Sequence, residues 1–389
     1  MSTIENKKPT FPRLYTIHSQ KGGVGKTSIA VAIAGFAAIA HGKKTLIIDA
    51  DLTGTSLIDI PSFSPNGLTK NKSYFNDLIL ANPADFARYT PIIQTTNSPR
   101  KKRYLNKFYH DISIQDCDKI SYFPASPDLS EIRKTIPLIS QEDHLLFFRL
   151  RLEDIIVTAM MDGFEVIIID HPPGLYGIST ASLKMVLDQQ DSETKEKSRL
   201  SKLIRGSLVK GNQVNLSCHS ILCTTSDPVD YKAVIPSLSM LLGEKWGKTK
   251  KWKEKISDDM KMDVFLNKAV KEKKHGWFDS AFVWKGILDE LKTLPEKNNF
   301  KEFPDSRKVN CDLLDTLEER IKETGAGAGE HIKDFSMDMI FPAIKKLKQL
   351  QDKKPSSEAT MENWCYQLGN TVKLLQFIDS NRSQIQEIR

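Results

Sequence analysis

Apolar residues along the chain fall into short runs separated by longer segments with helical spacing. The runs Leu14–Ile17, Thr45–Ile48, Ile120–Pro124, Phe164–Ile169, Ser220–Thr225 and Met262–Leu266 read as strands. Phe164–Asp170 is largely apolar throughout, which suits a central parallel strand covered on both faces. Between the strands, helices are expected over Ile29–Ala40, in short pieces within Leu68–Tyr89, from Asp128–Glu131 onward, and over Glu142–Met161, Thr180–Leu187 and Asp230–Leu242. Beyond about residue 276 the alternation weakens. Phe282–Leu294, Cys311–Glu323, Pro342–Gln351 and Trp364–Ile388 read as helical, Phe300–Pro304 as a short strand, and Asp352–Met361 as a linker. Strand–helix alternation over 14–270 predicts an α/β fold with a doubly wound, mainly parallel sheet, helical insertions and a helical C-terminal extension. The expected organisation is a flexible leader (1–13), a main domain (14–305) with insertions near 97–110, 189–213 and 244–260, and the extension (306–389).

Chemistry concentrates in Leu14–Asp51, where a strand leads into a loop of glycine and lysine, then an apolar helix, then a strand ending at Asp49 and Asp51. The Gly-x-x-x-x-Gly-Lys-Thr pattern needs glycine at its first position, and Gln20 stands there. The loop is instead Lys21-Gly22-Gly23-Val24-Gly25-Lys26-Thr27-Ser28, a P-loop variant with an added lysine. Its glycines let successive backbone N–H groups converge on one anion, and the following helix N-terminus favours negative charge. Lys26 is expected at the β- and γ-phosphates of a nucleotide, and the Thr27 hydroxyl at Mg²⁺. A glycine-rich turn without a ligand is the competing reading, and the Lys26-Thr27 pair with its strand and helix flanks argues against it.

Composition changes this picture little. Of 389 residues, 40% are hydrophobic and 27% charged, as in an ordinary globular protein. Net charge is +7, from 56 basic against 49 acidic residues, which admits nucleic acid or anionic lipid as a partner without requiring either. Cys117, Cys218, Cys223, Cys311 and Cys365 show no C-x-x-C spacing, so neither a zinc site nor a disulfide framework is indicated and a cytoplasmic setting is expected. The first residues lack the apolar core of a secretory signal, and the apolar segment Ile29–Ala40 is too short to span a bilayer.

Four motifs occur in one order: KGGVGKTS (21–28), LIIDADLTG (46–54), YFPASPDLSEI (122–132) and VIIIDHPPG (166–174). Together they resemble the ParA/MinD family of deviant-Walker-A ATPases over roughly residues 12–270. The resemblance implies ATP and Mg²⁺ as cofactors, hydrolysis of ATP, and a homodimer that sandwiches two nucleotides. Position by position, it implies that Lys21 reaches the partner's phosphates, and that Gly22 to Ser28 hold phosphate. Asp49 would lie near the metal's water shell, Asp51 would orient the attacking water, and Asp170 would be the Walker B carboxylate. Gly174 would sense the γ-phosphate, with Pro228 and Asn267 near the adenine. Family members often carry Pro-Gln after the second aspartate, whereas Leu52-Thr53-Gly54 follow here. His171 follows Asp170 and reads more readily as a plain turn residue than as a group that tunes the site.

Basic clusters at Arg100–Lys107, Lys195–Lys210 and Lys245–Lys255 offer a second theme. Arg100, Lys101, Lys102, Arg103, Lys202, Arg205, Lys250 and Lys251 are candidates for nonspecific DNA contact, with Tyr104, Phe108, Tyr109, Trp246 and Trp252 placed to stack on bases. A solvated lysine-rich face is the plain alternative. The last helix has Trp364, Leu368, Val372, Leu375 and Ile378 at helical spacing, but Glu362, Asp379 and Glu387 spoil the basic face that anionic lipid would select. Three tasks follow from the resemblance: positioning or segregating DNA or cargo with an adaptor protein that stimulates hydrolysis, recruiting an effector in a nucleotide-dependent manner, or a MinD-like membrane association.

Overall fold

The computed structural model describes residues 12–53, 57–58, 63, 73–90, 105–112, 118–139, 144–175, 177–190, 192–207, 216–225, 233, 262–267, 282–283, 340–342 and 344–345. Among the described residues, eight strands form one sheet in the order β3-β4-β2-β5-β1-β6-β7-β8. They are β1 (Arg13–Ser19), β2 (Thr45–Asp49), β3 (His110–Asp111), β4 (Ile120–Phe123), β5 (Val166–Asp170), β6 (Ser217–Thr225), β7 (Met262–Asn267) and β8 (Phe282–Val283). Pairing is parallel from β4 through β7, and antiparallel only at the two edges, β3 on β4 and β8 on β7. The expected doubly wound, mainly parallel sheet is therefore present.

The alternation of each strand sorts its residues onto two cores. Tyr15, Ile17, Ile47, Val166, Ile168 and Ile221 pack with α1 (Lys26–Gly35), whose residues are apolar nearly all round because it is buried. A π-helical turn, Phe36–Ala40, continues α1. On the opposite face Leu14, Leu46, Ile48, Ile167 and Ile169 pack with α5 (Leu145–Met161) and α6 (Gly177–Gln190). Smaller helices complete the layer: α2 (Phe75–Ile79), α3 (Pro83–Tyr89), α4 (Leu129–Ile139), α7 (Ser192–Lys197) and α8 (Arg199–Ser207).

Residues from the expected C-terminal extension reach the α1 core. Ile340, Phe341 and Ile344 are buried in it. A Cβ on Gly35 would stand 2.6 Å from Ile344 Cδ1 and 3.0 Å from Phe341 Cδ1, so glycine is what lets this segment approach α1.

Several expectations change. Phe282 and Val283 begin no helix but pair with β7 as an edge strand, a setting that suits an aromatic and a β-branched residue. Phe108 and Tyr109 do not project as base-stacking groups. Phe108 packs against Tyr89 and Phe123, and the Tyr109 hydroxyl donates to Asp162 Oδ2 at 2.8 Å inside the core. The insertion near 189–213 carries two helices, α7 and α8. The helices expected at Cys311–Glu323 and Trp364–Ile388, the strand at Phe300–Pro304, and most of the helix at Asp230–Leu242 lie outside the described residues. No described helix is long and apolar enough to cross a membrane.

Candidate nucleotide site

The site grows from register. Asp49 and Asp170 end adjacent parallel strands and are direct partners, with Ile17 of β1 opposite Asp170 on its other side. Period-two alternation sends both carboxylates to the face that carries α1, since Ile47 and Ile168 two residues earlier lie in the α1 core. The loop 20–25 joins β1 to the start of α1, so the first turn of that helix stands over the two acids.

Gly25 caps α1 at φ 93°, a left-handed conformation glycine adopts readily. No side chain caps the helix, and its first turn holds no acidic residue. An uncapped N-terminus of this kind favours an anion. The loop is tied to the end of β5: Gly174 N–H donates to Ser19 O at 2.8 Å, and Ser19 Oγ donates to Lys21 O at 2.7 Å.

Thr27 Oγ1 donates to Asp170 Oδ2 at 2.6 Å, which joins α1 to β5 through two of the three expected metal-holding residues. Asp170 Oδ1 and Asp49 Oδ2 are buried with no hydrogen-bond partner among the described residues. Asp49 Oδ1 accepts from Asp51 N–H at 3.1 Å. Burial, with Asp170 and Asp51 close by, pushes the Asp49 carboxyl well above the usual range. Burial likewise raises Asp170 to about 6, opposed by the charge of Lys26 and the bond from Thr27. Lys26 is itself buried. Two desolvated carboxylates with an unfilled oxygen each, beside a hydroxyl, form an oxygen donor set that suits a hard divalent cation such as Mg²⁺.

Asp51 differs from its neighbours. It is half-buried, and its Oδ1 accepts from Thr53 N–H at 3.2 Å and Thr53 Oγ1 at 2.6 Å. Thr53 stands in the segment that departs from the usual Pro-Gln, and here it holds Asp51 in a local turn. Lys21 is half-buried, and Gly22 and Gly23 are exposed at the mouth of the loop.

The structure brings Lys26, Thr27, Asp49 and Asp170 together, with Lys21, Gly22, Gly23, Val24, Gly25 and Ser28 in the adjoining loop and helix turn. Asn267 ends β7, whose backbone alone is described. Pro228, Arg100, Lys101, Lys102, Arg103, Lys250 and Lys251 lie outside the described residues. Lys202 and Arg205 are exposed on α8, whose other side buries Leu200 and Ile204. Arg199 in the same cluster is engaged internally, with Glu153 at 3.1 Å and Asp154 at 2.6 Å.

His171 stands just past the end of β5, where a turn residue is expected, but its side chain is not that of an exposed turn. It is fully buried and stacks on His18, with ring centroids 4.6 Å apart and planes within 8°. No short-range pattern links residues 18 and 171, but both follow strand positions of the same parity, which was the available signal.

A family model described as an AAA domain matches residues 13–189, and so spans β1 through α6 with the whole carboxylate cluster. Residues 13–189 are thus similar to this domain family. The chain is 30% identical over 162 residues to the chromosome-partitioning ATPase Soj of Treponema pallidum. That match covers 42% of this chain, and the chain spans about half (49%) of the length of that relative. Among solved structures, the cell division ATPase MinD of Pyrococcus furiosus is 15% identical, with a TM-score of 0.39, covering 94% of this chain and 99% of that one. A putative plasmid partition protein of Borrelia burgdorferi bound to AMPPNP is 14% identical, with a TM-score of 0.39, covering 88% and 99%. At these scores the likeness to solved structures adds nothing to the strand order and site geometry above.

Proposed function

We propose that the protein is an ATP-binding and hydrolysing dimerisation switch of the ParA/MinD type, which positions or segregates DNA or cargo. The observation that carries this reading is the Thr27–Asp170 bond, with the unfilled oxygens of Asp49 and Asp170 beside it. The partitioning relative supports the choice of task.

In this reading the amides of Gly22 to Thr27 and the ammonium of Lys26 bind the phosphates, with Ser28 adjoining. Thr27, Asp49 and Asp170 would hold Mg²⁺, which when bound neutralises charge on the β- and γ-phosphates. Asp51 has one carboxylate oxygen left beside the turn to Thr53 and orients the water that attacks the γ-phosphorus. The P–O bond to the leaving ADP breaks as the bond to water forms. Lys21 lies at the exposed mouth of the loop and reaches across to a second chain, where it does the electrostatic work of an arginine finger. A site split between two chains is open in the monomer, so hydrolysis stays slow until dimerisation and an adaptor protein complete it. Pro228 and Asn267 flank the adenine. Lys202 and Arg205, with the clusters at 100–103 and 250–251, supply the nonspecific DNA contact. Ile340, Phe341 and Ile344, within the expected extension, pack on α1.

Size-exclusion chromatography with light scattering on Asp51→Ala, with ATP and Mg²⁺, tests the switch. The expected species is a dimer that reverts to monomer with ADP. Strictly monomeric elution with ATP would remove the two-chain site. Lys202 and Arg205 changed to Glu should weaken ATP-dependent, salt-sensitive retention on duplex DNA, and intact retention would remove the DNA role of α8.

A further inference from the structure

Asp170 and His171 are consecutive, so the alternation that turns the acid toward α1 turns the imidazole toward α6. His171 is completely buried, and neither of its ring nitrogens has a hydrogen-bond partner among the described residues. Buried polar atoms are normally paired, and an apolar side chain of similar size would fill the space without leaving any unpaired. With its nitrogens idle, what the ring contributes is its face, laid flat on His18 at 4.6 Å.

His18 is held on every side. Its Nδ1 lies 2.8 Å from Ser179 Oγ in the first turn of α6, and its Nε2 lies 3.0 Å from Thr16 Oγ1. Thr16 Oγ1 in turn lies 2.7 Å from Ser220 Oγ of β6. His18 is thus a fixed plate joined to β1, β6 and α6. The pair is kept neutral: burial lowers His18 to about 3 and His171 well below its ordinary value, and the charge of Lys26 adds to both.

The segment pinned by this plate is the one that carries the chemistry. Past Asp170 the strand pairing ends, and the backbone is held at His171 N–H to Ile17 O (3.1 Å) and Gly174 N–H to Ser19 O (2.8 Å). Between those two bonds, the His171 ring is the polar side chain that enters the interior. Two flat rings resist tilting and separation but allow sliding in their common plane. The stack therefore sets how the loop from 171 to 174 sits without locking it.

We propose that His171, through its stack on His18, is a positioning residue for Asp170 and the loop to Gly174, and sets the rate of ATP hydrolysis rather than the affinity for ATP. This rests on the ATPase reading above. The phosphates are bound chiefly by the loop 21–28, and binding of Mg²⁺ by Thr27, Asp49 and Asp170 tolerates a small displacement better than the transition state does. Turnover depends on where the carboxylate and the γ-phosphate-sensing loop stand, and a misplacement of about 1 Å can cost on the order of a hundredfold.

The test is steady-state ATP hydrolysis by the full chain, with kcat and KM measured for His171→Ala, His171→Phe, His18→Ala and the double alanine variant, alongside thermal midpoints. His171→Ala should lower kcat about tenfold or more with KM within about threefold, and His171→Phe, which keeps a flat ring without nitrogens, should recover most of the loss. The double variant should be no slower than the slower single, because both remove one contact. A wild-type kcat in His171→Ala, or a folded His171→Phe as slow as His171→Ala, overturns the proposal. If His171→Ala does not fold, His171→Phe decides alone: wild-type kcat supports the stack, and lost kcat in folded protein overturns it. Absence of turnover in the wild type is a separate result, which sinks the ATPase reading and this proposal with it.

Discussion

The two faces of β1 are built from different chemistry. Tyr15 and Ile17 point into the α1 core, which is mainly apolar, with Tyr15 stacked on His219 and polar Ser19 ending the strand beside the carboxylates. Thr16 and His18 point the other way, into a line of hydroxyls and imidazoles that runs from Ser220 to Ser179 and His171. Parity extends the division across the sheet, with Asp49 and Asp170 on the α1 face and His171 on the α6 face. The difference teaches where rigidity and adjustment reside. The α1 face is fixed by close packing, which tolerates no vacancy and presents the phosphate loop in one position. The α6 face is joined by hydrogen bonds and a ring stack, contacts that keep direction while permitting small displacement.

The largest effect should come from the packed face. Ile47→Ala removes a fully buried side chain against α1 and should cost about 2–5 kcal/mol in urea unfolding, since the core there cannot collapse. A cost below about 1 kcal/mol would make the α1 face as adaptable as the other.

Asp170→Asn sharpens the comparison through charge. A carboxyl raised from 3.8 to about 6 binds its proton more tightly in the folded state. Its contribution to stability is complete below the unfolded value and is lost as pH rises through the folded one. The wild type should therefore lose on the order of 3 kcal/mol of stability from this group between those values. Asp170→Asn should flatten that slope, raise the thermal midpoint at neutral pH and abolish magnesium-dependent binding. A variant with the wild-type pH slope would show that Asp170 is ionised without penalty.

Gly35→Val should cost roughly 1–3 kcal/mol, because its Cβ would meet Ile344 and Phe341. A neutral result would mean that the segment 340–345 does not rest on α1. Thr16→Val is the mildest change. It leaves His18 Nε2 and the Ser220 hydroxyl without their shared partner and should cost about 1 kcal/mol, with a smaller effect on nucleotide affinity than on kcat.

The fold and the acid cluster were legible because both are written in local pattern. A strand that ends in Asp, repeated at 49 and 170, needs only alternation and a turn to be found, and the KGGVGKTS loop carries its own spacing. The His18–His171 stack was not legible, since it joins residues far apart through register between β1 and β5. Phe108 and Tyr109 were misleading for a similar reason. Beside a run of Arg and Lys they resemble stacking groups, yet tertiary packing draws both inward onto Phe123. Thr53 shows a third case. Its place after Asp51 marked a departure from the family pattern, and only geometry shows that it occupies one of the Asp51 oxygens.

The most direct test of the central claim is calorimetric titration of ATP into the full chain, with Mg²⁺ and then with EDTA, for the wild type and Asp170→Asn. The wild type should bind ATP at least about tenfold more tightly with Mg²⁺ than without, and Asp170→Asn should bind equally in both conditions. Equal affinity in the wild type with and without Mg²⁺ would contradict the assignment of Thr27, Asp49 and Asp170 as one metal-holding set.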